Sequence, residues 1–350
     1  MAQQDWKKRL KADPTDWLLE ESDPGVRYLA LRDIADGDEK EVKAARAKAH
    51  RERPIAVILD NMNPAGYWIA AGSVYANKCR GPVWSVISLA ELGATVEEDK
   101  RVGVACDYII KNSLLKSGQF SPGRIPNNMG LCLQGNMLIS LPELGCKDKR
   151  LETAYEYAAR RVTGEGLPQK VNMEGLGEGK GVSGPFRYIN YPAKSGFICR
   201  TNKGLPCGWE AAKVLLAFAN LPGEKRTEQI NKAIDIGVNF FLSGDPSKAE
   251  FPGHRGGAPD IRWWQFQFPS FWGADILQIA EALTKLGYGQ NPRLSNTIDL
   301  ILSKQNEQGR WPLEWIDHSH KMWVKYGTLG KPNKWVTLRA LRVLKRAAEY

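Results

Sequence analysis

Two kinds of apolar pattern alternate along this chain. In the first kind, as in WSVISLAELG, KVLLAFANL and ADILQIAEAL, nearly every position is apolar, which is typical of a helix buried on all sides. In the second kind, such as TEQINKAIDIGVNFFL, one face is apolar and the other is charged, which is typical of a helix with a solvent face. The alternation predicts an inner layer of helices inside an outer layer.

Four segments repeat one order, in which an inner-type helix is followed by a short polar turn with an Arg and then by an outer-type helix. They begin GPVWSVISLAELG, MGLCLQGNMLISLPELG, CGWEAAKVLLAFANLPG and FWGADILQIAEALTKLG. Gly93, Gly145 and Gly287 each follow a Leu at the end of a helical period, where a left-handed capping residue is needed. Because the turns are short, the two helices of each pair should lie antiparallel.

The repeat predicts an all-α fold made of roughly five to six helical hairpins. A last inner-type segment, NKWVTLRALRVLKRAAEY, has no outer partner in the sequence. A chain of such hairpins forms an open superhelix or a closed ring. We expect a helical extension at 1–60 packed on a ring at 61–350, with a long Gly-rich loop at 163–206.

A second recurring feature follows the outer-type segments. Residues 305–311, QNEQGRW, have the pattern Gln-x-x-x-Gly-x-Trp, and 66–68 and 118–120 are weaker copies. The pattern resembles the glutamine–tryptophan repeat of squalene and oxidosqualene cyclases. With the hairpin order, it makes the chain similar to the α/α-toroid superfamily of terpenoid cyclases and protein prenyltransferase β subunits, in the form of a standalone bacterial repeat protein.

This resemblance implies an α/α toroid over roughly residues 60–348 and an enzyme that binds an isoprenoid-like substrate in an axial cavity. It does not extend to catalytic motifs. The Asp-x-Asp-Asp acid motif of the cyclases and the Asp-x-Cys zinc element of the prenyltransferases are both absent from the sequence. The reaction is therefore left open by the resemblance.

The formal net charge of +10 is distributed unevenly. Basic residues recur in the loops that enter the inner helices, and in a hairpin ring these loops share one end. The residues concerned are Lys78, Arg80, Arg200, Lys203, Arg255, Arg262 and Lys334. Helix N-termini with free N–H groups would add to their field, so we expect a diphosphate, carboxylate or sulfate group to bind there. The alternative is a solvated basic rim without a ligand.

Tryptophans accompany these loops. We expect Trp263 and Trp264, in a Pro- and Gly-rich loop, to contact the apolar part of a ligand, whereas Trp84, Trp272 and Trp335 are assigned to ordinary core packing. Because the basic residues surround a cavity mouth in this arrangement, and do not follow one exposed helix, the pattern disfavours nucleic acid as a partner.

Cysteines give a possible metal site. Cys132 and Cys207 lie in the first turns of inner helices, Cys199 lies in the loop before the second of these, and His254 lies in the next entering loop. Three thiolates and an imidazole would complete a tetrahedral zinc site. The alternatives are buried thiols that act as small apolar residues, or Cys207 as a nucleophile activated by its helix N-terminus.

Few acids occur in the inner layer. Glu210 and Asp275 lie in the first turns of inner helices, and Asp260 lies in the loop before one. Each is either a general acid or base that faces the cavity or a plain helix-start residue that interacts with the helix dipole.

Three functions stay open from the sequence. The first is an enzyme acting on an anionic, partly apolar substrate, and the second is a non-catalytic scaffold that binds ligands or proteins. The third is a carbohydrate-processing α/α barrel, which the small number of inner carboxylates disfavours. The start of the chain lacks a signal-peptide core and no apolar run reaches roughly 18 residues, so we expect a cytoplasmic protein without a membrane span. The sequence indicates no oligomeric state.

Overall fold

The computed structural model describes residues 6–124, 130–165, 197–199, 202, 205–249, 259–317 and 321–349. The described residues are mainly helical. The α-helices are α1 (Thr15–Leu18), α2 (Pro24–Asp33), α3 (Glu39–Arg51), α4 (Ile55–Asp60), α5 (Pro82–Glu91), α6 (Lys100–Ser113), α7 (Leu131–Glu143), α8 (Arg150–Thr163), α9 (Gly208–Asn220), α10 (Glu228–Leu242), α11 (Ile276–Lys285), α12 (Ser295–Ser303) and α13 (Lys334–Ala347). Two short strands, β1 (Ile198–Cys199) and β2 (Leu205–Pro206), pair antiparallel.

The inner helices form a closed ring. Helix α5 packs on α7, α7 on α9, α9 on α11 and α11 on α13, and α13 packs on α2. Gly93, directly after α5, lies against the Leu29 side chain of α2 and completes the circle. Helices α3, α6, α8, α10 and α12 each pack outside an inner helix. The predicted all-α toroid is confirmed.

Helix α2 lies within residues 1–60, the predicted helical extension. It packs on α13 and lines the cavity on the ring axis. The boundary at residue 60 stays a prediction.

The burial of the helices follows the two apolar patterns. In the inner helix α9 every residue from Gly208 to Ala219 is buried, whereas the outer helix α8 buries one face only. Gly93, Gly145 and Gly287 have φ values of 80°, 85° and 87°, the left-handed conformation that their position after a helix requires. No helix in the described part of the chain is both long enough and apolar enough to cross a bilayer.

Two tryptophans cap the ends of helices α4 and α12 in the same way. The Trp68 indole donates a hydrogen bond of 2.7 Å to the Ile58 carbonyl of α4, and the Trp311 indole donates one of 2.6 Å to the Ile301 carbonyl of α12. In both cases the indole comes ten residues after the carbonyl. Carbonyls in the last turn of a helix have no following turn to bond to, so each indole supplies a donor to one of them while it fills the core. The Ile301 carbonyl also accepts a longer hydrogen bond, of 3.3 Å, from the Lys304 N–H.

The Gln305 side chain ties the beginning of the described chain to this last outer helix. Its Oε1 accepts a hydrogen bond of 2.7 Å from the Lys11 backbone N–H, and its Nε2 donates one of 3.2 Å to the Ala12 carbonyl. Gly309, with φ of 74°, leaves room for the Ala12 carbonyl, because a Cβ there would come within 2.0 Å of that oxygen. This Gln-to-Trp segment therefore joins two chain regions almost 300 residues apart (293 between Ala12 and Gln305).

Candidate functional site

A cavity of about 150 Å³ lies on the ring axis. All six inner helices contribute to it, and α2, α5, α7 and α9 do so from their C-terminal halves. Its lining includes Leu29, Arg32, Asp33, Ile87, Glu91, Asn136, Glu143, Leu216, Asn220, Gln278, Glu281, Lys285, Leu338, Arg339, Arg342 and Arg346. The cavity therefore reaches the end of the ring where the inner helices finish.

The basic loops predict a site at the opposite end, where the inner helices begin. There the segment before α11 occupies the axis, because Phe268 stacks on Trp335 with ring centroids 4.8 Å apart and an angle of 8° between the planes. This stacked pair separates the observed cavity from the entering loops. Several of those loops lie partly outside the described residues, so a second site at that end stays a prediction.

The floor of the cavity contains a buried ion-pair network. Arg339, on α13, donates hydrogen bonds of 2.9 and 3.0 Å to the two oxygens of Asp275 and lies 3.2 Å from Glu281. It also donates to the Gln267 carbonyl at 2.8 Å. Because a guanidinium with this many acceptors is fixed in place, the network holds the segment before α11 against α13.

Glu91 and Lys213 hold the Ser270 backbone from two sides. The Ser270 N–H donates to both oxygens of Glu91, at 2.9 and 3.0 Å, and the Lys213 ammonium donates to the Ser270 carbonyl at 3.2 Å. Lys213 also donates to Asn136 Oδ1 at 2.9 Å. Burial raises the pKa of Glu91 to about 7, although Arg339 and the Ser270 N–H oppose the rise. Burial likewise lowers the pKa of Lys213 to about 8.

A carboxyl group that titrates near neutral pH and lines a cavity is suited to general acid–base chemistry. Glu91 is the described cavity residue that best meets this condition. Lys213 is wholly buried behind Ser270 and does not line the cavity, so it positions the floor and is not itself exposed to a ligand.

Gln278 presents an unused acceptor to the cavity. Its side chain is 4% exposed, and its Oε1 has no hydrogen-bond partner among the described residues. Most buried polar atoms in proteins are paired, so this oxygen is a place where a donor from a ligand would be stabilised.

The mouth of the cavity is rich in cations. Asp33 accepts hydrogen bonds from Arg32 at 2.6 Å and from Arg342 at 2.7 Å, so two cations share one acid. Lys285 donates to the amide oxygen of Asn220, and no acid among the described residues lies within ion-pair distance of it. Arg346 forms no side-chain hydrogen bond or ion pair with the described residues; burial and the neighbouring Arg342 lower its pKa.

Four cations, Arg32, Lys285, Arg342 and Arg346, line the mouth with two acids, Asp33 and Glu143, so the described residues leave an excess of positive charge there. Burial and the nearby Arg346 also lower the pKa of Lys285, which is the expected response of two cations forced together. Cations at helix C-terminal ends interact favourably with the helix dipole, and that interaction accounts for part of the pattern. An anion bound between them would relieve the remaining repulsion.

Four of the predicted binding cations are described, and these contact protein groups and do not line this cavity. Lys78 lies 4.4 Å from the Trp272 ring centroid, Arg80 donates to the Met322 carbonyl at 3.1 Å, Arg262 pairs with Asp260 at 2.6 Å, and Lys334 pairs with Glu20 at 2.8 Å and Asp23 at 2.7 Å. Arg200, Lys203 and Arg255 lie outside the described residues.

Three tryptophans lie differently from expectation with respect to this cavity. Trp263 and Trp264 donate their indole N–H groups to the carbonyls of Pro246 and Ser247, at 3.0 and 2.6 Å, and do not line the axial cavity. Trp335, assigned from the sequence to the core, lines the cavity instead. The sequence did not show that α13 closes the ring from the last position in the chain.

The predicted acids are structural at two of three positions. Asp275 caps α11 by accepting from the Gln278 N–H at 2.9 Å and pairs with Arg339, and Asp260 caps a short helix by accepting from the Arg262 N–H at 3.0 Å. Glu210 differs, because its buried carboxylate lies among thiols.

Cys132, Cys199, Cys207 and Glu210 form a cluster at the beginnings of α7 and α9, which we term the cysteine cluster. The thiols of Cys199 and Cys207 are hydrogen bonded, and Cys199 lies beside Glu210. Burial, followed by the charge of Cys199, raises the pKa of Glu210 well above its usual range. In the described ranges, no three His, Cys, Asp or Glu side chains are arranged to hold a metal ion. His254 lies outside those ranges, so the zinc site stays a prediction.

Comparison with known proteins gives weak similarities only. No protein-family model and no curated protein matches the chain. Among solved structures, it is similar to the type II terpene cyclase MstE from Scytonema, at 13% identity over 87% of this chain and 97% of that chain with a TM-score of 0.32. A complex of a variant of that cyclase with geranylgeranyl dihydroxybenzoate is similar at 13% identity over 87% of this chain and 97% of that chain, with a TM-score of 0.31. A protein from Actinoplanes is similar at 14% identity over 87% of this chain and 99% of that chain, with a TM-score of 0.32. The description of the ring and its cavity rests on the contacts within this chain.

Proposed function

We propose that the axial cavity binds a small molecule with an anionic group and an apolar part, and that the protein is an enzyme acting on it. The observation that carries the proposal is the excess of cations over acids at the mouth, where Lys285 and Arg346 have no direct ion pair with the described residues. An anionic group placed between these two cations would form charge-assisted hydrogen bonds in a partly dry site, where they are strong.

The remainder of the cavity suits a short apolar group. Leu29, Ile87, Leu216 and Leu338 contribute aliphatic surface, and the Phe268–Trp335 pair closes one side. A cavity of about 150 Å³ holds a group of about the size of benzene. Pockets that enclose larger ligands are typically about 300–1,000 Å³. The isoprenoid-like substrate implied by the sequence resemblance would therefore enter only as a short segment.

Glu91 supports a catalytic role over a purely binding role. A scaffold has no need of a carboxyl group that exchanges its proton near neutral pH at the floor of a cavity. In the proposed reaction Glu91 transfers a proton to or from the ligand, and the Ser270 N–H fixes the carboxylate in position.

Isothermal titration calorimetry with benzoate, phenyl phosphate and benzyl alcohol tests the binding proposal. We expect the two anions to bind and the neutral alcohol to bind at least about tenfold more weakly. Arg346→Gln should remove this preference, whereas Arg160→Gln, an exposed arginine at the end of the outer helix α8, should leave it unchanged. Absence of binding of either anion to the unaltered protein would overturn the proposal.

A further inference from the structure

The cavity is polarised along its depth. Its floor presents two acceptors, the carboxylate of Glu91 and the unpartnered Oε1 of Gln278. The Gln278 residue is only 4% exposed. Its mouth presents donors with positive charge, Lys285 and Arg346. A ligand that satisfies both levels needs a donor at one end and an anion at the other.

The helix spacing sets the distance between the two levels. Gln278, Glu281 and Lys285 follow one another along α11 and all line the cavity. At a rise of 1.5 Å per residue, the positions of Glu281 and Lys285 are about 6 Å apart along the axis, and those of Gln278 and Lys285 about 10 Å apart. On α13, Arg339 at the floor and Arg346 at the mouth show the same separation of seven residues. The two ends of the ligand should therefore be about 6–10 Å apart.

The charge of the floor decides what kind of donor fits. Lys213 and Arg339 are the cations there, and Glu91, Asp275 and Glu281 are the acids. When Glu91 is ionised, the acids exceed the cations by one. A buried unpaired charge is costly, so a cationic donor would stabilise the ionised floor more than a hydroxyl group would.

We propose that the ligand is a small zwitterion of the ω-amino acid type. Its ammonium group lies between Glu91 and Gln278, its carboxylate lies between Lys285 and Arg346, and a short methylene chain crosses the apolar wall. The inference deepens the proposed function and rests on it, because the carboxylate occupies the same anion site.

The spacing excludes an ordinary α-amino acid, in which the two charges are adjacent. An extended chain of about four methylene groups between the ammonium and the carboxylate spans about 6 Å and fits the lower end of the required distance. Such a molecule has eight non-hydrogen atoms, which is close to the size that a cavity of about 150 Å³ accepts.

Calorimetry with four matched ligands tests this inference on the full-length protein. The ligands are 5-aminopentanoate, its isomer 2-aminopentanoate, pentanoate, which lacks the ammonium group, and pentylamine, which lacks the carboxylate. We expect 5-aminopentanoate to bind at least about tenfold more tightly than each of the other three. Binding should also release protons at pH 7, measured as a dependence of the heat on the buffer, because an ammonium group beside Glu91 favours its ionised form.

The outcomes separate the two proposals. If pentanoate or 2-aminopentanoate binds as tightly as 5-aminopentanoate, the anion site stands and the zwitterion inference is overturned. If none of these ligands binds, and benzoate and phenyl phosphate also fail, the proposed function itself is overturned.

A variant of the floor gives a second, independent readout. Gln278→Met keeps the length and shape of the side chain and removes the unpartnered acceptor. We expect it to weaken 5-aminopentanoate binding about tenfold and to leave pentanoate binding unchanged, with thermal unfolding showing that the variant is folded. Equal weakening of both ligands, or of neither, would contradict the placement of the ammonium group at Gln278.

Discussion

The carboxyl group of Glu91 should make the stability of the protein depend on pH in a way that a single substitution reveals. Burial raises its pKa from 4.5 to about 7 in the folded protein. The folded state therefore retains a proton that the unfolded chain releases. The contribution to stability is fully present below about pH 4.5 and is lost as the pH rises towards and through 7.

The size of the effect follows from the shift. A change of one pKa unit corresponds to about 1.4 kcal/mol, so a shift from 4.5 to about 7 is worth about 3 kcal/mol at most. Part of this develops below pH 5, which leaves about 2 kcal/mol between pH 5 and pH 8. The cavity has an open mouth, and solvent that enters would screen the carboxylate, so this figure is an upper limit. The Gln side chain of Glu91→Gln has no proton to release, so the stability of this variant should fall less between pH 5 and pH 8.

Urea denaturation at pH 5, 6, 7 and 8 measures the difference directly. The free energy of unfolding of Glu91→Gln, relative to the unaltered protein, should increase by about 1–2 kcal/mol from pH 5 to pH 8. Glu152→Gln, on the exposed face of α8, is the matched control and should show a constant difference. A constant difference for Glu91→Gln, or a decrease towards pH 8, would refute the assignment of a raised pKa to this group.

Three further predictions concern stability and metal content. Trp311→Phe leaves the buried Ile301 carbonyl with only its 3.3 Å hydrogen bond from the Lys304 N–H and should lower the free energy of unfolding by about 1 kcal/mol in urea titrations; a loss below about 0.5 kcal/mol would contradict the capping role. Arg339→Met leaves the buried Asp275 carboxylate unpaired and should cost about 3–5 kcal/mol, with partial recovery when Asp275→Asn is added; no recovery would count against the ion pair. A zinc site at Cys132, Cys199, Cys207 and His254 should give about one equivalent of zinc in elemental analysis of the purified protein, and less than about a tenth of an equivalent would remove that prediction.

The layered ring could be predicted because its causes are local. An inner helix such as α9 must be apolar on all faces, and an outer helix such as α8 on one face only, so the sequence carries the distinction residue by residue. The turn glycines Gly93, Gly145 and Gly287 mark the hairpins for an equally local reason, since their φ values are positive.

The cavity could not be predicted in this way, because its charges are paired across the ring. Arg339 and Asp275 are 64 residues apart and Arg342 and Asp33 are 309 apart, and neither pairing has a sequence signature. A usable signal was nevertheless present. Lys213 stands within a helix that is otherwise apolar on nearly all faces, and a charge in such a place requires a buried partner.

The cations of the entering loops show why counting charges does not locate a site. Loops that share one end of a ring do not necessarily direct their side chains to its axis. Arg262 lies 4.5 Å from the Trp209 ring centroid and pairs with Asp260, and Arg80 lies over Trp323. Aromatic and acidic neighbours thus hold these cations within the protein, which the count of basic residues in each loop does not reveal.

Closure of the ring by α13 against α2 has a consequence for biosynthesis. Arg342 and its partner Asp33 are 309 residues apart, so at a synthesis rate of about 5–20 residues per second α2 waits roughly 15–60 s for the helix that covers it. During this interval the apolar face of α2 lacks its final neighbour, and the axial cavity does not yet exist. A nascent chain of this protein should therefore depend on chaperones until its last inner helix leaves the ribosome.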